Sequence, residues 1–424
     1  MASFSTLTIE EATERLIDYR GKTPPKTNAG IRLVTAKVVK GGQIQDQPAE
    51  FIAADFYDEW MRRGLPQQLD VLLTTEAPLG EVAIIRGDAR IALAQRIILL
   101  RAKPNVLDAE YLFYALQSEF GQEELKARAS GTTVLGIKQS ELRKVRIPVP
   151  PLPTQQRIAN ILSAYDELIE NSQQRIKILE AMASSIYREW FVYFRFPGHE
   201  SVPLVPSSNG EIPQNWDSVK LGTQLVALES GRRPKGGIRE IDGGVPSIGA
   251  ENINGIGRHD FAGEKFIPRE FFSEMRSGVV QDRDVAIYKD GAYIGKSSYF
   301  RDGFPHFECS VNEHVFLLRS TGERLKQNAM YLWLQESDTV QLIRSKNANA
   351  AQPGINQETV RGLDLIVPDS RTAEQFDKLI DPFLAEIIVI STKVYNLRRT
   401  RDLLLPRLLS GQIEVSGDHQ TGAL

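Results

Sequence analysis

The chain has 424 residues, 42% hydrophobic and 25% charged, with a net charge of −3, which is ordinary for a soluble protein of two or three domains. Its single cysteine, Cys309, excludes an internal disulfide, and no apolar run approaches the roughly 20 residues that cross a bilayer. The overall charge does not advertise nucleic-acid binding: residues 1–150 hold 20 Lys and Arg against 19 Asp and Glu, so any DNA-binding charge has to be clustered locally or supplied by a partner.

Thr8-Ile9-Glu10-Glu11 reads as a capping box opening a short amphipathic helix that ends near Gly21. The N-terminus lacks the basic-then-apolar pattern of a secretory signal, which with the lone cysteine sets the expectation of a reducing cytoplasm. A basic, turn-rich stretch, GKTPPKTNAG, is followed by the strand candidates IRLVTAKVV, DVLLTT, EVAIIRG and RIALAQRIILLRA. Residues 111–128 have helical spacing, and RIPVPPLP is a hinge. After residue 197 a Pro-, Ser- and Gly-rich stretch reads as a linker, and a second globular unit begins at Ile212-Pro213-Gln214-Asn215-Trp216. Its strands are expected in GVPSIGA, DVAIYKDGAYIG and HVFLLRS, with a helix over 328–346 and closure at LDLIVPDS.

Two stretches have heptad spacing. Between residues 154 and 193, Leu162, Ile169, Ile176, Ala183 and Trp190 recur every seven residues, with Ile158, Tyr165, Ser172, Leu179 and Ile186 as the second column. Thr154 is the expected N-cap and Phe196-Pro197-Gly198 the stop. A shift of 218 residues maps this seam onto Ile380, Phe383, Ile387, Ile390, Val394, Leu397, Leu404 and Leu408, with Arg401 opposite Ala183 as the one break. The seams predict two long helices packed on each other, the second kinked at Pro382 or restarted there with Asp381 as cap.

The repeat extends beyond the helices. GIKQSELRKVRIPVP (136–150) aligns with GINQETVRGLDLIVP (354–368) and Leu99-Leu100-Arg101 with Leu317-Leu318-Arg319 at a shift of 218, while Asp70-Val71 aligns with Asp284-Val285 at 214. Gly21-Lys22-Thr23-Pro24 resembles Gly231-Arg232-Arg233-Pro234. A period near half the chain predicts a duplicated unit of globular domain plus long helix. The boundaries follow: a domain over 1–150, a helix over 151–198, linker and second domain over 199–369, a second helix over 370–413 and a disordered tail over 414–424.

Several catalytic signals fail on inspection. Gly291-Ala292-Tyr293-Ile294-Gly295-Lys296-Ser297 has three residues between its glycines where a phosphate-binding loop needs four, and reads as a hairpin turn. Asp381-Pro382-Phe383 lacks the second proline of an amino-methyltransferase motif, and Glu124-x-Lys126 lacks an acidic partner. His306, Cys309 and His314 make a weak metal set at strand-like spacing, so no metal is expected.

Three segments resemble the DNA-specificity subunit of type I restriction–modification systems: PPLPTQQRI (150–158), REWFVYFRFPG (188–198) and LLPRLLSGQI (404–413). The first domain departs from the pattern in lacking the Ile-Pro-x-x-Trp start present at Ile212–Trp216. The resemblance implies an α+β fold with two mixed α/β target-recognition domains, separated by two long helices packed as an antiparallel coiled coil under a pseudo-two-fold repeat. It implies a non-catalytic, cytoplasmic, prokaryotic protein that reads a split double-stranded DNA target and holds two modification subunits and, through them, restriction subunits. S-adenosylmethionine, ATP and Mg would belong to those partners. Candidate DNA contacts are then Lys22, Lys26, Lys37, Lys138 and Gln139 in the first domain, and Arg232, Arg233, Lys235, Asn252, Lys289, Lys296, Asn356 and Gln357 in the second, since Arg or Lys on guanine and Asn or Gln on adenine discriminate bases. The rival readings are a standalone methyltransferase or nuclease, and a coiled-coil adaptor with no DNA role.

Overall fold

Strands such as Val71–Thr75 and Ile97–Ala102 are apolar on both faces because both faces are covered. The protein is described from a computed structural model, over residues 4–19, 23–234, 243–291, 293–347 and 354–415. It forms two units, one of residues 1–169 with 397–424 and one of residues 170–396. Among the described residues no helix is long and apolar enough to cross a membrane.

In the first unit an antiparallel sheet has the order Thr13–Asp18, Ile97–Ala102, Val71–Thr75, Leu79–Ile84. Alternation along its strands sends Val71, Leu73, Ile98 and Leu100 into a core with Tyr111, Leu112 and Leu116, and Leu72, Ile97 and Leu99 into another with Leu33, Val34 and Leu93. The second core lies on a small sheet in which Ile31–Val34 pairs antiparallel with Phe51–Ile52 and parallel with Ala92–Leu93.

The second unit repeats this plan. Its main sheet has the order Leu225–Ser230, Val315–Ser320, Val285–Tyr288, Ser297–Tyr299. Its small sheet pairs Val245–Ile248 antiparallel with Phe266–Ile267 and parallel with Ser310–Val311. The repeat reaches single hydrogen bonds. Arg101 donates from Nε and Nη2 to the two carboxylate oxygens of Asp70 at 2.8 and 2.7 Å, and Arg319 does the same to Asp284 at 2.6 and 2.8 Å. The same guanidinium nitrogen reaches the carbonyl of Leu65 in one unit and of Val279 in the other, and the amides of Gln67 and Gln281 close the networks onto the carboxylates. Leu69 and Arg283, each just before the aspartate, share a left-handed φ of 66° and 67°.

Several sequence expectations give way. The capping box forms, Glu11 accepting from Thr8 and the Glu11 amide donating to the Thr8 hydroxyl, but its helix covers only Ile9–Ala12. Thr13–Asp18 instead joins the sheet beside Ile97–Ala102, so strand pairing overrides the helical pattern. The helix expected over 111–128 is two helices, Ala109–Gln117 and Glu119–Ala127, broken by extended Ser118 (ψ 155°), whose side chain caps the second. The helix expected over 328–346 breaks the same way at Glu336, between Gln327–Gln335 and Ser337–Ser345. The expected linker contains a hairpin, Leu204–Ser207 paired with Gly210–Pro213. Residues 416–424, most of the expected disordered tail, lie outside the described residues, while Ile413 and Val415 pack on the first core.

The first long helix runs over Leu152–Tyr187, two residues ahead of the expected Thr154 cap, and continues as a π-helical turn over Arg188–Val192. The second runs over Ser370–Leu409 without a restart at Pro382. Pro382 faces solvent, which limits the damage to one missing backbone donor. Asp381 caps nothing; it accepts from Arg301, Arg283 and Asn328. The cap is Asp369, whose carboxylate accepts from the amides of Arg371 and Thr372 and from the Thr372 hydroxyl.

The seams are buried within each unit. In the first, Ile158, Leu162 and Leu408 share a core, with Leu404 packed against it. Arg401, the break in the apolar column, donates to Asp166 at 2.6 Å, and the Tyr114 hydroxyl donates to the other oxygen of Asp166 at 2.7 Å. Ile169 lies 6% exposed in the first unit, and Leu397 is half-buried there. In the second, Ala183, Trp190, Ile380 and Ile387 share a core, with Ile176, Leu179 and Ile186 packed against it, while Val394 is buried. Arg175 pairs with Glu386 at 3.1 Å and Tyr187 meets Phe376 at 6.1 Å between ring centroids, so the helices run antiparallel there.

Two outcomes follow. Arg101→Ala or Arg319→Ala strands an aspartate whose side chain is at most 2% exposed, and each should lower unfolding free energy by about 3–5 kcal/mol in denaturant titration. Burial pushes the Asp369 carboxyl up, but the Thr372 hydroxyl and the two amides outweigh it and hold the group below the usual carboxylate range. Asp369→Ala should therefore cost about 1 kcal/mol at neutral pH. That difference should shrink as pH falls below the ordinary carboxylate range and through the lowered value, where the wild-type cap is itself protonated.

Candidate nucleic-acid interface

Loops at the ends of the main-sheet strands collect the polar groups in each unit. In the second unit, the loop after Leu225–Ser230 carries Arg232 and Arg233. Arg233 pairs with Glu313 at 3.0 Å, and Glu313 meets the His314 Nε2 at 3.4 Å. The His314 Nδ1 lies 3.0 Å from Asp290. Next to Asp290, Lys289 donates its amide to the His314 carbonyl at 3.1 Å and accepts the Ile355 amide at 2.9 Å, beside the bridge between Asp290 and Gly354. Asn356 follows directly and caps the helix Gln357–Arg361, accepting from the Thr359 amide at 2.8 Å. The structure thus joins Arg233, Lys289 and Asn356 through one run of contacts.

The remaining candidates fall around it. The Lys289 ammonium lies over the Phe316 ring at 4.9 Å, and that of Lys296 over Tyr293 at 4.4 Å and 3.4 Å from Oδ1 of Asn254. Arg232 turns aside to the Glu274 carbonyl at 2.9 Å and the Phe271 ring. Gln357 is exposed at the first turn of its helix. Asn252 is corrected as a surface candidate: it is 5% exposed and its side-chain oxygen Oδ1 accepts from the Asp260 amide. Lys22 and Lys235 lie outside the described residues.

The first unit has the same frame with other side chains. Glu76 bridges Gly136, and Ile137 donates its amide to the Thr75 carbonyl at 2.9 Å, as Ile355 does to Lys289. Thr75 therefore stands in place of Lys289, Glu76 of Asp290 and Lys138 of Asn356. These residues line a cavity of about 330 Å³ with Gln95, Arg96 and Ser130. Arg96, at a left-handed φ of 75°, pairs with Glu76 at 2.8 Å. Gln139 begins the helix Gln139–Leu142. Lys26 is held by Glu50 at 2.9 Å, and Lys37 is exposed in a separate turn.

Sequence reasoning missed Thr75, Glu76, Arg96, Asp290, Tyr293 and His314. The shift of 214 residues that pairs Asp70 with Asp284 also pairs Thr75-Glu76 with Lys289-Asp290, so that signal was present. Nothing in the sequence marks the backbone of Arg96.

A family model described as type I restriction modification DNA specificity domain matches residues 62–181. The chain is 25% identical over 346 residues to the type I restriction enzyme MjaIX specificity subunit of Methanocaldococcus jannaschii, covering 81% of this chain and 78% of that one. It is 30% identical over 232 residues to a putative type I specificity subunit of Mycoplasma genitalium, over 53% of this chain and 56% of the relative. In fold it is similar to the crystal structure of a type I restriction-modification system S subunit from M. genitalium, with a TM-score of 0.60, 17% identity and 96% of each chain covered. A duplicated α+β unit, a family match from within the first domain through most of the first long helix, and a relative aligned along most of both chains are what this chain shares with type I restriction–modification DNA-specificity subunits.

Proposed function

We propose that the chain reads a two-part DNA sequence, one part with each unit, and serves as the scaffold on which modification subunits and, through them, restriction subunits assemble. The observation that carries this reading is the repeated strand-end frame. Thr75, Glu76 and Lys138 on one copy and Lys289, Asp290 and Asn356 on the other sit on the same backbone hydrogen bonds. A duplicated scaffold with different side chains at equivalent places presents two different donor and acceptor patterns to two half-sites. The exposed lysines and arginines nearby supply the phosphate contacts that position a reader without specifying sequence.

On this reading the chain itself performs no bond chemistry. Methyl transfer from S-adenosylmethionine and ATP- and Mg-dependent cleavage belong to the partners. The long helices offer surfaces to those partners: Leu168, Ile178, Leu379, Val389 and Leu403 are 42–62% exposed, on faces away from the seams. Their rigid rise per residue suits them to fix the distance between the two half-sites.

The test is methylome sequencing of cells carrying the complete system. A split motif is expected, and replacing residues 1–150 with those of another specificity subunit should change one half and leave the other intact. Change in both halves, or an unsplit motif, would overturn the reading. Lengthening both long helices by one heptad, about 10 Å, should move the preferred gap between half-sites by about three base pairs at roughly 3.4 Å each, read as binding by the chain with its modification subunits to a series of spacer lengths.

A further inference from the structure

The second unit contains a side-chain cluster apart from the strand-end frame described above. His259 and Glu264 stand on the loop between the short helix Ala250–Asn252 and the strand Phe266–Ile267, and His306 on the segment before Ser310–Val311. The Nε2 of His259 lies 2.6 Å from Oε1 of Glu264, and the Nε2 of His306 contacts the same oxygen. The three donor atoms all lie within 4.8 Å of one another. We propose that His259, Glu264 and His306 form a binding site for one divalent transition-metal ion of the zinc class.

Two imidazole nitrogens and a carboxylate oxygen are a donor set that zinc takes, with bonds of about 2.0–2.2 Å and a fourth position left for water. In a tetrahedral site such donors stand roughly 3.4 Å apart. An entering ion would part the His259–Glu264 contact by less than about 1 Å and take the place of the protons now shared with the carboxylate. The cluster has a closed and an open side: the side chain of His259 is 2% exposed and that of Glu264 10%, while His306 is 28% exposed and gives the ion a way in.

The surroundings orient the ligands. The Phe261 ring packs on His259 at 4.6 Å, on His306 at 5.7 Å and on Tyr395 of the second long helix at 4.1 Å. The loop is held elsewhere too. Arg258 pairs with Glu180 on the first long helix at 2.5 Å. Gly257, with φ +66°, lies so close to the second that a Cβ would stand 2.2 Å from the Ser391 hydroxyl. A bound ion would therefore tie the segment around His306 to a loop already seated on both helices. Cys309 is not among the donor atoms that lie within 4.8 Å of one another, and His314 is engaged with Asp290. Among the described residues the first unit does not repeat the cluster: the backbone bond from Ser247 to Lys265 matches that from Leu33 to Glu50, which puts Ala49 where Glu264 stands.

The experiment uses the full-length untagged chain, stripped with a chelator and titrated with Zn²⁺ against a chromophoric competitor, with thermal unfolding followed in parallel. One tight equivalent per chain and a raised Tm are expected. His306→Ala and the near-isosteric Glu264→Gln should each weaken that equivalent by at least about tenfold and abolish the Tm rise. His199→Ala, at a half-buried histidine outside the cluster, should do neither. Absence of a tight equivalent in the wild-type chain, or one that survives both ligand variants, would overturn the site and leave a hydrogen-bonded His–Glu–His bridge only. The wild-type titration decides the matter even if a variant fails to fold, and it does not depend on the DNA-reading proposal.

Discussion

Each unit depends on an apolar helix stripe that its own contiguous domain segment does not cover. The first core, built on Val71, Leu73, Ile98 and Tyr111, is completed by Ile158 and Leu162 from the start of one long helix and by Leu408 and Leu409 from the end of the other. The second, built on Val285, Ile287 and Leu318, is completed by Ala183 and Trp190 from the end of the first helix and by Phe376 and Ile380 from the start of the second. Residues far apart in sequence thus have to meet before either core is closed. A helix pair that was only a spacer could drift in register at small cost. Here a slip would pull Leu408 or Phe376, each at most 2% exposed, out of a packed core, and losses of that kind cost about 2–5 kcal/mol per large side chain. Register is thereby set by the domains as much as by the seam.

That dependence explains what could be read from the sequence. The heptads, the shift of 218 residues and the alternating strands were legible because each reflects a periodicity imposed by burial. The heptad reading even marked Arg401 as an exception, and the exception is an ion pair with Asp166. The losses have local causes. Thr13–Asp18 has helical spacing and an N-terminal cap, yet it lies at a sheet edge where Ile97–Ala102 offers unpaired backbone groups. Ser118 and Glu336 each break a helix by one extended residue, and no residue type announces such a break. At Pro382 the missing donor faces water, so a proline that reads as a stop is accommodated within the helix. Of the candidate site, basic loops were visible but their partners were not: Glu50, Glu313 and Phe316 hold Lys26, Arg233 and Lys289 from positions distant in sequence or concealed by loop length.

The buried pairs of Arg101 with Asp70 and Arg319 with Asp284 show what the duplication kept. A well-packed apolar pair would often be as stable as such an ion pair. The ion pair, however, gathers several polar groups into one network: two carboxylate oxygens, a backbone amide and a loop carbonyl in each unit. It holds the left-handed residues Leu69 and Arg283 at the start of a central strand. At the far end of that same strand stand Thr75-Glu76 in one unit and Lys289-Asp290 in the other, where the two copies diverge. Fixing one end of the strand with a satisfied polar network leaves the other end free to change side chains without moving backbone.

The same division of labour bears on where a new contact can arise. Lys138 and Asn356 stand two residues after glycines held by the same backbone bridge; a substitution at Lys138 alters a presented group and little else, whereas one at Asn356 also removes a helix cap. His259, Glu264 and His306 occupy loops that the bridge does not constrain, and the first unit has no counterpart to Glu264. A cross-link added there would stiffen one reader without altering the shared frame. The two units can therefore diverge in local stability as well as in the groups they present, because the interactions that set the shared frame lie at one end of the central strand, and those that vary lie at its other end or on loops outside it.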